Sequence, residues 1–498
     1  MAKGEEVNFL MERKKILPPL ILFLISLVFR LPFFGVPFWR TPDAVEFIDV
    51  ARNIALGKGL IQTIKWNFFE PTPVITSAFH GKPFFASVIF STILHFQNDP
   101  YLLQLFLLIL GAVNVVLFYF LARKFLSGKI SVVVSLLFGF NPNILITNRI
   151  VLSDEVFYFF VLLSLLLFFG KDNIRKYILL GIFSAFSYLT RTEGAFLFIA
   201  IFLTFILQKK KWLQILLFAG FFGLTALPYF LGNAIINGSP FFNYNSFHFK
   251  VFHFYDSMFT GYGRNYPSVL SFVQTNFWWI MNTIWQAIVA NVKSLVGLTF
   301  FGPLILLIIF YKNFSRKFLP ILFFCSAILL TFSITWSVFA EPERHLAIVF
   351  ALGLIPLFAL VKGKYTRDPF FILIILLMLV VYLGFDAHRI FWSRTVEMQT
   401  DAWSYQSRKI SYDYLKNHTN PNSIVASSNP WMITLFAVRP SIMLGTNIDS
   451  KNYCKFISQY KISYFLTSDS SLEKTLNREA TFILNDQSLL LYKTRVCE

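Results

Sequence analysis

The chain has 498 residues, of which 56% are hydrophobic and only 14% are charged. A soluble domain usually carries about 25% charged residues, so an ordinary cytoplasmic enzyme is excluded. The 63 phenylalanines exclude a disordered or fibrous protein, and three cysteines are too few for a disulfide framework. The composition therefore predicts a polytopic α-helical membrane protein.

Apolar segments follow one another from the N terminus to about residue 385. A bilayer core about 30 Å thick needs roughly 20 apolar residues per helix. The first segment, 16–36, follows a basic run and has no cleavage site after it, so we predict an uncleaved span. Further predicted spans are 101–122, 129–147, 151–170, 177–190, 195–207, 213–231, 285–311, 318–336, 342–361 and 369–385. The shorter piece 84–97 is placed in the outer interface, which leaves about 11 spans, or up to 13 if marginal segments also cross.

Basic residues gather in five short turns between these spans. The turns lie at 123–129, 171–176, 209–211, 312–317 and 362–367. The positive-inside rule places such turns in the cytoplasm, so the net charge of +18 is no sign of a nucleic-acid partner. We expect a protein of the plasma (inner) membrane with a cytoplasmic N terminus. The segments predicted to face outward are 37–83, 232–284 and 386–498.

The C-terminal segment differs in composition from the rest of the chain. Residues 386–498 alternate helical stretches with short strand-like runs at 423–427, 464–467 and 489–492. We therefore predict two domains: a membrane domain, 1–385, that includes the outer loops, and a small extracytoplasmic α/β domain, 386–498. Cys454 and Cys497 lie in the second domain, where both a disulfide and two free thiols are compatible with the sequence.

The acidic residues between positions 37 and 385 fall almost entirely at the outer ends of predicted spans or in outer loops. Only Asp172 and Asp368 lie in predicted cytoplasmic turns. A transporter needs polar groups near the midplane, often in two repeated halves, and the sequence has no such repeat. The distribution favours a reaction centre at the outer boundary. A transporter or lipid flippase, and a non-catalytic receptor or assembly factor, remain the alternatives.

An acidic amphipathic helix is predicted just after the first span. Thr41 and Pro42 suit its start, Asp43 and Glu46 lie in its first turns, and Gly57 suits its end. Asp43 is either a charge favoured by the helix dipole or a functional carboxylate beside the membrane.

Four further charged motifs lie at predicted outer ends of spans. They are His80-Gly81-Lys82-Pro83, Arg149 followed by Ser153-Asp154-Glu155, Arg191-Thr192-Glu193, and Glu341-Pro342-Glu343-Arg344. Each also has a purely structural interpretation: Lys82 snorkels at the membrane edge, Arg344 pairs with a neighbouring glutamate, the acids at 154–155 cap a helix, and Arg191 with Glu193 orders a tight turn. Arg30, near the outer end of the first span, is expected to snorkel outward.

In their order and membrane depth, these motifs resemble those of the GT-C glycosyltransferases that use polyprenyl-phosphate sugars. This group includes the protein O-mannosyltransferases and the lipid A aminoarabinose transferases. The resemblance covers roughly residues 16–361 and implies a GT-C-like fold. It also implies sugar transfer, at the outer membrane face, from a polyprenyl-phosphate donor to a lipid, glycan or protein acceptor. Ala44 departs from the usual acid pair, so the role of the second acid is either absent or moved to Glu46.

The resemblance also implies roles for individual residues. Asp43 is the expected general base of an inverting displacement, and Lys82 and Arg344 are expected to bind the donor phosphate. Site support is expected from Asp154, Glu155, Arg149, Arg191, Glu193, Glu46 and His80. Some members of the group use a divalent cation and others do not. The spacing of His80, His248, His253 and His345 fits no zinc signature, so we predict no metal ligands. The aromatic-rich loop 232–284 is expected to act as a lid.

Overall fold

The computed structural model divides into two compact units. Unit 1 comprises 1–36, 101–242 and 281–394, and unit 2 comprises 37–100, 243–280 and 395–498. The residues that the structure describes are 2–39, 41–66, 75–78, 82–241, 269–299, 316–335, 342–360, 369–392, 394, 404–405, 407–444, 450–467, 476, 480–486 and 489–494.

Helices make up most of the described chain. They are α1 Ala2–Arg30, α2 Pro42–Ala55, α3 Phe85–Phe96, α4 Pro100–Arg123, α5 Gly128–Gly139, α6 Pro142–Arg149, α7 Asp154–Phe168, α8 Ile174–Thr190, α9 Gly194–Leu207, α10 Trp212–Asn237, α11 Val269–Thr275, α12 Phe277–Thr299, α13 Leu319–Thr335, α14 Pro342–Leu360, α15 Pro369–Trp392, α16 Lys409–His418, α17 Pro430–Met432 and α18 Ser450–Tyr460. The strands are β1 Ile61–Gln62, β2 Ile64–Lys65, β3 Ser77–Ala78, β4 Ile424–Ser427, β5 Ser441–Met443, β6 Ile462–Thr467, β7 Ala480–Asp486 and β8 Leu489–Thr494.

Each predicted span overlaps one or more of these helices, and residues 300–311 of the predicted span 285–311 lie outside the described residues. The predicted fold class is confirmed. Within the described residues, Ile16–Phe33, α4 and α10 are long and apolar enough to cross a membrane by themselves, and α5 with α6 forms a fourth candidate that is bent by 55°. The number of spans stays a prediction.

The predicted span 129–147 consists of two helices rather than one, because the chain bends by 55° between α5 and α6. Pro142 occupies the first turn of α6, and the side chain of Asn141 caps that helix by accepting a hydrogen bond from the backbone N–H of Asn143 at 3.0 Å. Proline has no N–H to continue the hydrogen bonding of a preceding helix. The chain therefore starts a new helix in a new direction.

Arg30 does not snorkel outward as predicted, but is completely buried in unit 1. Its Nε donates to Oδ1 of Asn148 at 2.9 Å, its Nη2 to the carbonyl oxygen of Gly139 at 3.1 Å, and its Nη1 to the hydroxyl and carbonyl oxygens of Ser26. A guanidinium is retained in an apolar interior only when its donors are paired. The oxygen atoms of Gly139 on α5 and Asn148 on α6 accept the hydrogen bonds that water would accept if Arg30 were exposed.

Glu155 continues this buried polar network at the start of α7. Its Oε1 accepts hydrogen bonds from Asn148 Nδ2 and Thr147 Oγ1, both at 2.7 Å, and its Oε2 accepts one from Asn114 Nδ2 at 2.7 Å. Asn148 therefore lies between Arg30 and Glu155 and bonds to both. The network connects α1, α4, α6 and α7. Its two charged groups, on Arg30 and Glu155, are tolerated in the interior because hydrogen bonds satisfy them.

We expect Gly111→Ala to destabilise unit 1 by disrupting this network. An added Cβ would lie 1.8 Å from Oδ1 of Asn148 and 2.8 Å from Nε of Arg30. Overpacking of this kind costs about 1–3 kcal/mol and lowers the thermal unfolding midpoint in detergent. Gly220→Ala on α10 is the matched control, since a Cβ added there would meet no described atom within 4 Å apart from its chain neighbours and the backbone of its own helix. Equal midpoints for the two variants would contradict this account of Gly111.

Unit 2 joins the segment 37–83 to the C-terminal part of the chain in one sheet. The strand order is β2-β5-β4-β6-β8-β7; β2 pairs with β5, β5 with β4 and β4 with β6 in parallel, while β8 is antiparallel to both β6 and β7. The three predicted strand-like runs correspond to β4, β6 and β8. Strands β5 and β7 were not predicted, and neither was the presence of β2 in this sheet. The boundary between domains 1–385 and 386–498 stays a prediction. The sheet of residues 386–498 nevertheless includes β2, which belongs to the segment 37–83 of the other predicted domain.

A second link between these segments runs through Arg52 on α2. Its Nη1 donates to the carbonyl oxygens of Leu435 at 3.0 Å and Thr434 at 3.5 Å, and its Nε donates to Oδ1 of Asn98 at 3.0 Å. Leu435 and Thr434 belong to the π-helical turn that follows α17. The guanidinium thus holds this turn to α2 through two backbone carbonyl groups.

Of the three cysteines, Cys454 is disulfide-bonded in the structure and Cys325 is a buried free thiol. Cys497 lies outside the described residues.

Candidate active site

The first cluster of predicted site residues lies on α2. Thr41 is extended, Pro42 occupies the first helical position and Asp43 lies in the first turn. Residues three apart on a helix lie on the same face, so Glu46 lies one turn along from Asp43. The side chain of Glu46 is 3% exposed and that of Asp43 is 46% exposed. The carboxylate of Asp43 is therefore accessible to solvent, while that of Glu46 is buried.

Lys82 connects these two carboxylates. Its Nζ lies 3.0 Å from Oδ1 of Asp43 and 2.6 Å from Oε2 of Glu46. Burial alone would lower the pKa of Lys82, but the charges and hydrogen bonds of Asp43 and Glu46 outweigh it and raise this pKa above its ordinary value. The amine is therefore a cation, and the three side chains together carry a formal charge of −1.

Two tryptophans that the sequence did not single out extend this cluster. Nζ of Lys82 lies 5.7 Å from the ring centroid of Trp66, a cation–π contact. The ring of Trp66 lies 6.4 Å from that of Trp431. Trp66 directly follows β2, and Trp431 belongs to α17. No local pattern relates two residues so far apart in the chain, so sequence reasoning had no signal that would pair them.

Asp49 is a buried acid that holds the loop after α2. Its Oδ2 accepts a hydrogen bond from the backbone N–H of Thr63 at 2.6 Å, and its Oδ1 accepts from the hydroxyl of Thr63 at 2.6 Å and from Nδ2 of Asn53 at 3.2 Å. Burial raises the pKa of Asp49 to about 6, against the opposing effect of these hydrogen bonds. Its role is to position the start of β2 rather than to react.

We expect unit 2 to lose stability as the pH rises from about 4 to 7. The folded-state pKa of Asp49 lies above its ordinary value, so its stabilising contribution is complete below about pH 4 and is lost as the pH passes through about 6. The loss is about 2–3 kcal/mol. Thermal unfolding across this range should show a smaller pH dependence in Asp49→Asn than in the wild type. Identical pH dependence in both proteins would refute the assignment.

The second cluster lies in unit 1 and joins α7 to the turn between α8 and α9. Nη1 of Arg191 lies 3.0 Å from Oδ1 of Asp154, and its Nη2 lies 2.7 Å from Oε1 of Glu193. Asp154 is almost fully buried. The ion pair between Arg191 and Glu193 that we predicted from the sequence is present. Arg191 also binds Asp154, the first residue of α7.

The other predicted site residues are distributed as follows. Glu155 belongs to the buried network with Asn148, and Arg149 is buried at the end of α6, where its carbonyl oxygen accepts a hydrogen bond from Gln104 at 2.8 Å. Arg344 lies in the first turn of α14, and its side chain is not described. His80, His248, His253 and most of the loop 232–284 lie outside the described residues. Within the described parts of the chain, no three histidine, cysteine or acidic side chains are grouped as metal ligands.

The chain is similar to membrane glycosyltransferases in both sequence and structure. The sequence model of the dolichyl-phosphate-mannose-protein mannosyltransferase family matches residues 82–236. The structure is similar over 99% of this chain to 98% of ArnT from Cupriavidus metallidurans bound to undecaprenyl phosphate, with a TM-score of 0.60 and 12% identity. This chain has the GT-C fold. The resemblance that the motifs indicated is confirmed at the level of the fold.

The GT-C fold is also found in a second, archaeal structure. It is the oligosaccharyltransferase AglB from Archaeoglobus fulgidus in complex with an inhibitory peptide and a dolichol-phosphate. The similarity has a TM-score of 0.52 and 13% identity, and covers 97% of this chain and 75% of AglB. Among curated proteins, no sequence matches this chain significantly.

Proposed function

We propose that this protein is an integral-membrane glycosyltransferase that moves a sugar from a polyprenyl-phosphate donor to an acceptor at the outer membrane face. The observation that carries the proposal is the ammonium group of Lys82 held beside the accessible carboxylate of Asp43, within a GT-C fold. Two of the solved structures that are similar to this chain contain undecaprenyl phosphate and a dolichol-phosphate, respectively, which supports a lipid-phosphate donor.

The reaction is a single displacement at the anomeric carbon. A hydroxyl of the acceptor attacks this carbon, its proton passes to Asp43, and the bond from the carbon to the phosphate oxygen breaks. The polyprenyl phosphate leaves with the electron pair. One displacement inverts the anomeric configuration, whereas retention would need a second carboxylate free to act as nucleophile. Glu46 is buried and bonded to Lys82, which favours inversion.

Lys82 has two tasks in this scheme. The departing phosphate gains negative charge, and a nearby cation stabilises it. When Lys82 turns towards the donor phosphate, it releases Asp43, which then accepts the proton of the acceptor. Glu46 keeps the amine charged and in place throughout. Glu46 thereby supplies the second acid that is missing at Ala44.

The donor phosphate needs a second positive charge, because Asp43, Glu46 and Lys82 together carry a formal charge of −1. We assign this role to Arg344, and a divalent cation is the other candidate. Supporting roles are assigned in the same proposal to the second cluster, Asp154 with Arg191 and Glu193, and to Arg149, Glu155 and His80.

The expected location is the plasma membrane, with the N terminus in the cytoplasm and the segment 386–498 outside. The acceptor is a lipid, a glycan or a protein, and no nucleic acid takes part. The concentration of acids at the predicted outer ends of spans supports a reaction centre there over the alternative of a transporter or lipid flippase.

The test is sugar transfer by the purified protein in liposomes. Undecaprenyl- and dolichyl-phosphate sugars are supplied with a membrane extract as the source of acceptors, and mass spectrometry follows both the released polyprenyl phosphate and the glycosylated product. We expect both to form in equal amounts, with an inverted anomeric linkage. Movement of intact donor across the bilayer, without cleavage of any donor, would instead support a flippase.

A further inference from the structure

We propose that Trp66 and Trp431 form the surface on which the sugar of the lipid-linked donor lies. This inference rests on the proposed function, since it takes Lys82 as the group that binds the donor phosphate. The two tryptophans would be the part of the site that recognises carbohydrate. Trp431, one of the two, belongs to the C-terminal segment.

The geometry around Lys82 suits a glycosyl phosphate. The sugar ring of such a donor begins one oxygen atom away from phosphorus, so a cation on the phosphate places the ring within a few ångström. The centroid of the Trp66 ring is 5.7 Å from Nζ of Lys82, and the centroid of the Trp431 ring is 6.4 Å from that of Trp66, with the two planes inclined by 35°. Both tryptophans are half-buried, so each is held in place while part of it is exposed.

The chemistry of these groups matches a sugar better than a lipid chain. A pyranose has an apolar face of C–H groups, which packs on the face of an aromatic ring, and an edge of hydroxyl groups, which donate to carboxylates. Asp43 provides an accessible carboxylate bonded to the same Lys82 amine. A polyprenyl chain has no group that could bond to either the amine or the carboxylate.

Contacts with β2 and α2 hold Trp431 beside Trp66. Strand β2, which ends one residue before Trp66, pairs in parallel with β5 through Ile64 with Ser441 and Lys65 with Ile442. The helical turn α17, which carries Trp431, packs against α2 and β2. Arg52 binds the turn that follows α17. These contacts fix the C-terminal segment to the helix that carries Asp43.

Three variants separate a sugar contact from a structural role. Trp431→Leu and Trp66→Leu remove an aromatic ring, and Trp431→Phe keeps one. Phenylalanine is a suitable control because the indole Nε1 of Trp431 has no hydrogen-bond partner among the described residues, so that substitution breaks no described bond. The probes are undecaprenyl phosphate and undecaprenyl-phosphate mannose and glucose, bound to the full-length protein in detergent. Thermal unfolding of each variant reports its folding.

We expect each Leu variant to bind the sugar-bearing donors about 3- to 10-fold more weakly than the wild type, and to bind undecaprenyl phosphate unchanged. Trp431→Phe should bind all probes like the wild type. Equal losses for the bare lipid and the sugar donors, or no loss in either Leu variant, would overturn the inference while leaving the proposed function intact. A wild-type protein that binds neither class of lipid would overturn both.

Discussion

Replacing Asp43 by Asn is expected to lower the rate of sugar transfer by about 10²–10⁴-fold, which is the usual contribution of a general base. The amide is nearly the same size as the carboxylate, and its oxygen still accepts a hydrogen bond from Lys82, which remains paired with Glu46. The loss should therefore appear in kcat, with little change in the affinity for the donor. Initial rates of transfer from a lipid-phosphate sugar in liposomes measure both.

Asp172→Asn is the matched control for this substitution. Asp172 is a half-exposed acid of a predicted cytoplasmic turn, and it binds Lys176 at 2.7 Å and Lys210 at 2.6 Å. These two lysines hold the pKa of Asp172 well below its usual range. Because the carboxylate of Asp172 is half-exposed, the loss of each of its two ion pairs costs about 1 kcal/mol or less, and the rate of transfer should stay unchanged. A folded Asp43→Asn protein with full activity would refute the assignment of the base.

The second large effect is expected for Lys82→Met, which removes the proposed phosphate contact. We expect transfer to fall by about 10²–10³-fold, as when a preorganised group that stabilises a leaving oxyanion is lost. The substitution also leaves the carboxylate of Glu46 buried without its ammonium partner, which costs about 3 kcal/mol. Activity and thermal stability should therefore fall together in the single variant.

The double variant Lys82→Met with Glu46→Gln separates these two effects. Neutralising Glu46 removes the buried charge that has lost its ammonium partner Lys82, so the thermal unfolding midpoint should return towards that of the wild type. Transfer should stay low, because the phosphate still lacks its cation. If stability and activity were both recovered, Lys82 would be a structural counter-ion of Glu46 and not a phosphate-binding group.

The sequence was sufficient for the properties that depend on local pattern. Runs of apolar residues predicted the helices, because crossing a bilayer core requires a minimum length of apolar chain. The start of α2 and the same-face placement of Asp43 and Glu46 also followed from local rules, since Pro42 and the helical repeat specify both. The amphipathic helix and its acids could thus be placed from the residues alone.

Pairings between distant segments could not be predicted in this way. Arg30 was expected to reach outward, because an isolated arginine in a span does so, yet Asn148, 118 residues later, accepts its hydrogen bond in the interior. Likewise, nothing local to β2 predicts its partner β5, because a two-residue strand is too short to carry a recognisable pattern.

The sequence by itself determined the class of protein, the order of its helices and which of its acids lie next to predicted outer boundaries. Only the tertiary structure decided that Lys82 bridges Asp43 and Glu46, that Arg191 binds Asp154 in addition to Glu193, and that Trp431 lies beside Trp66. The physical reason is that periodicity reports which face of an element is apolar, whereas the partner of a charge or a ring depends on how separate elements pack.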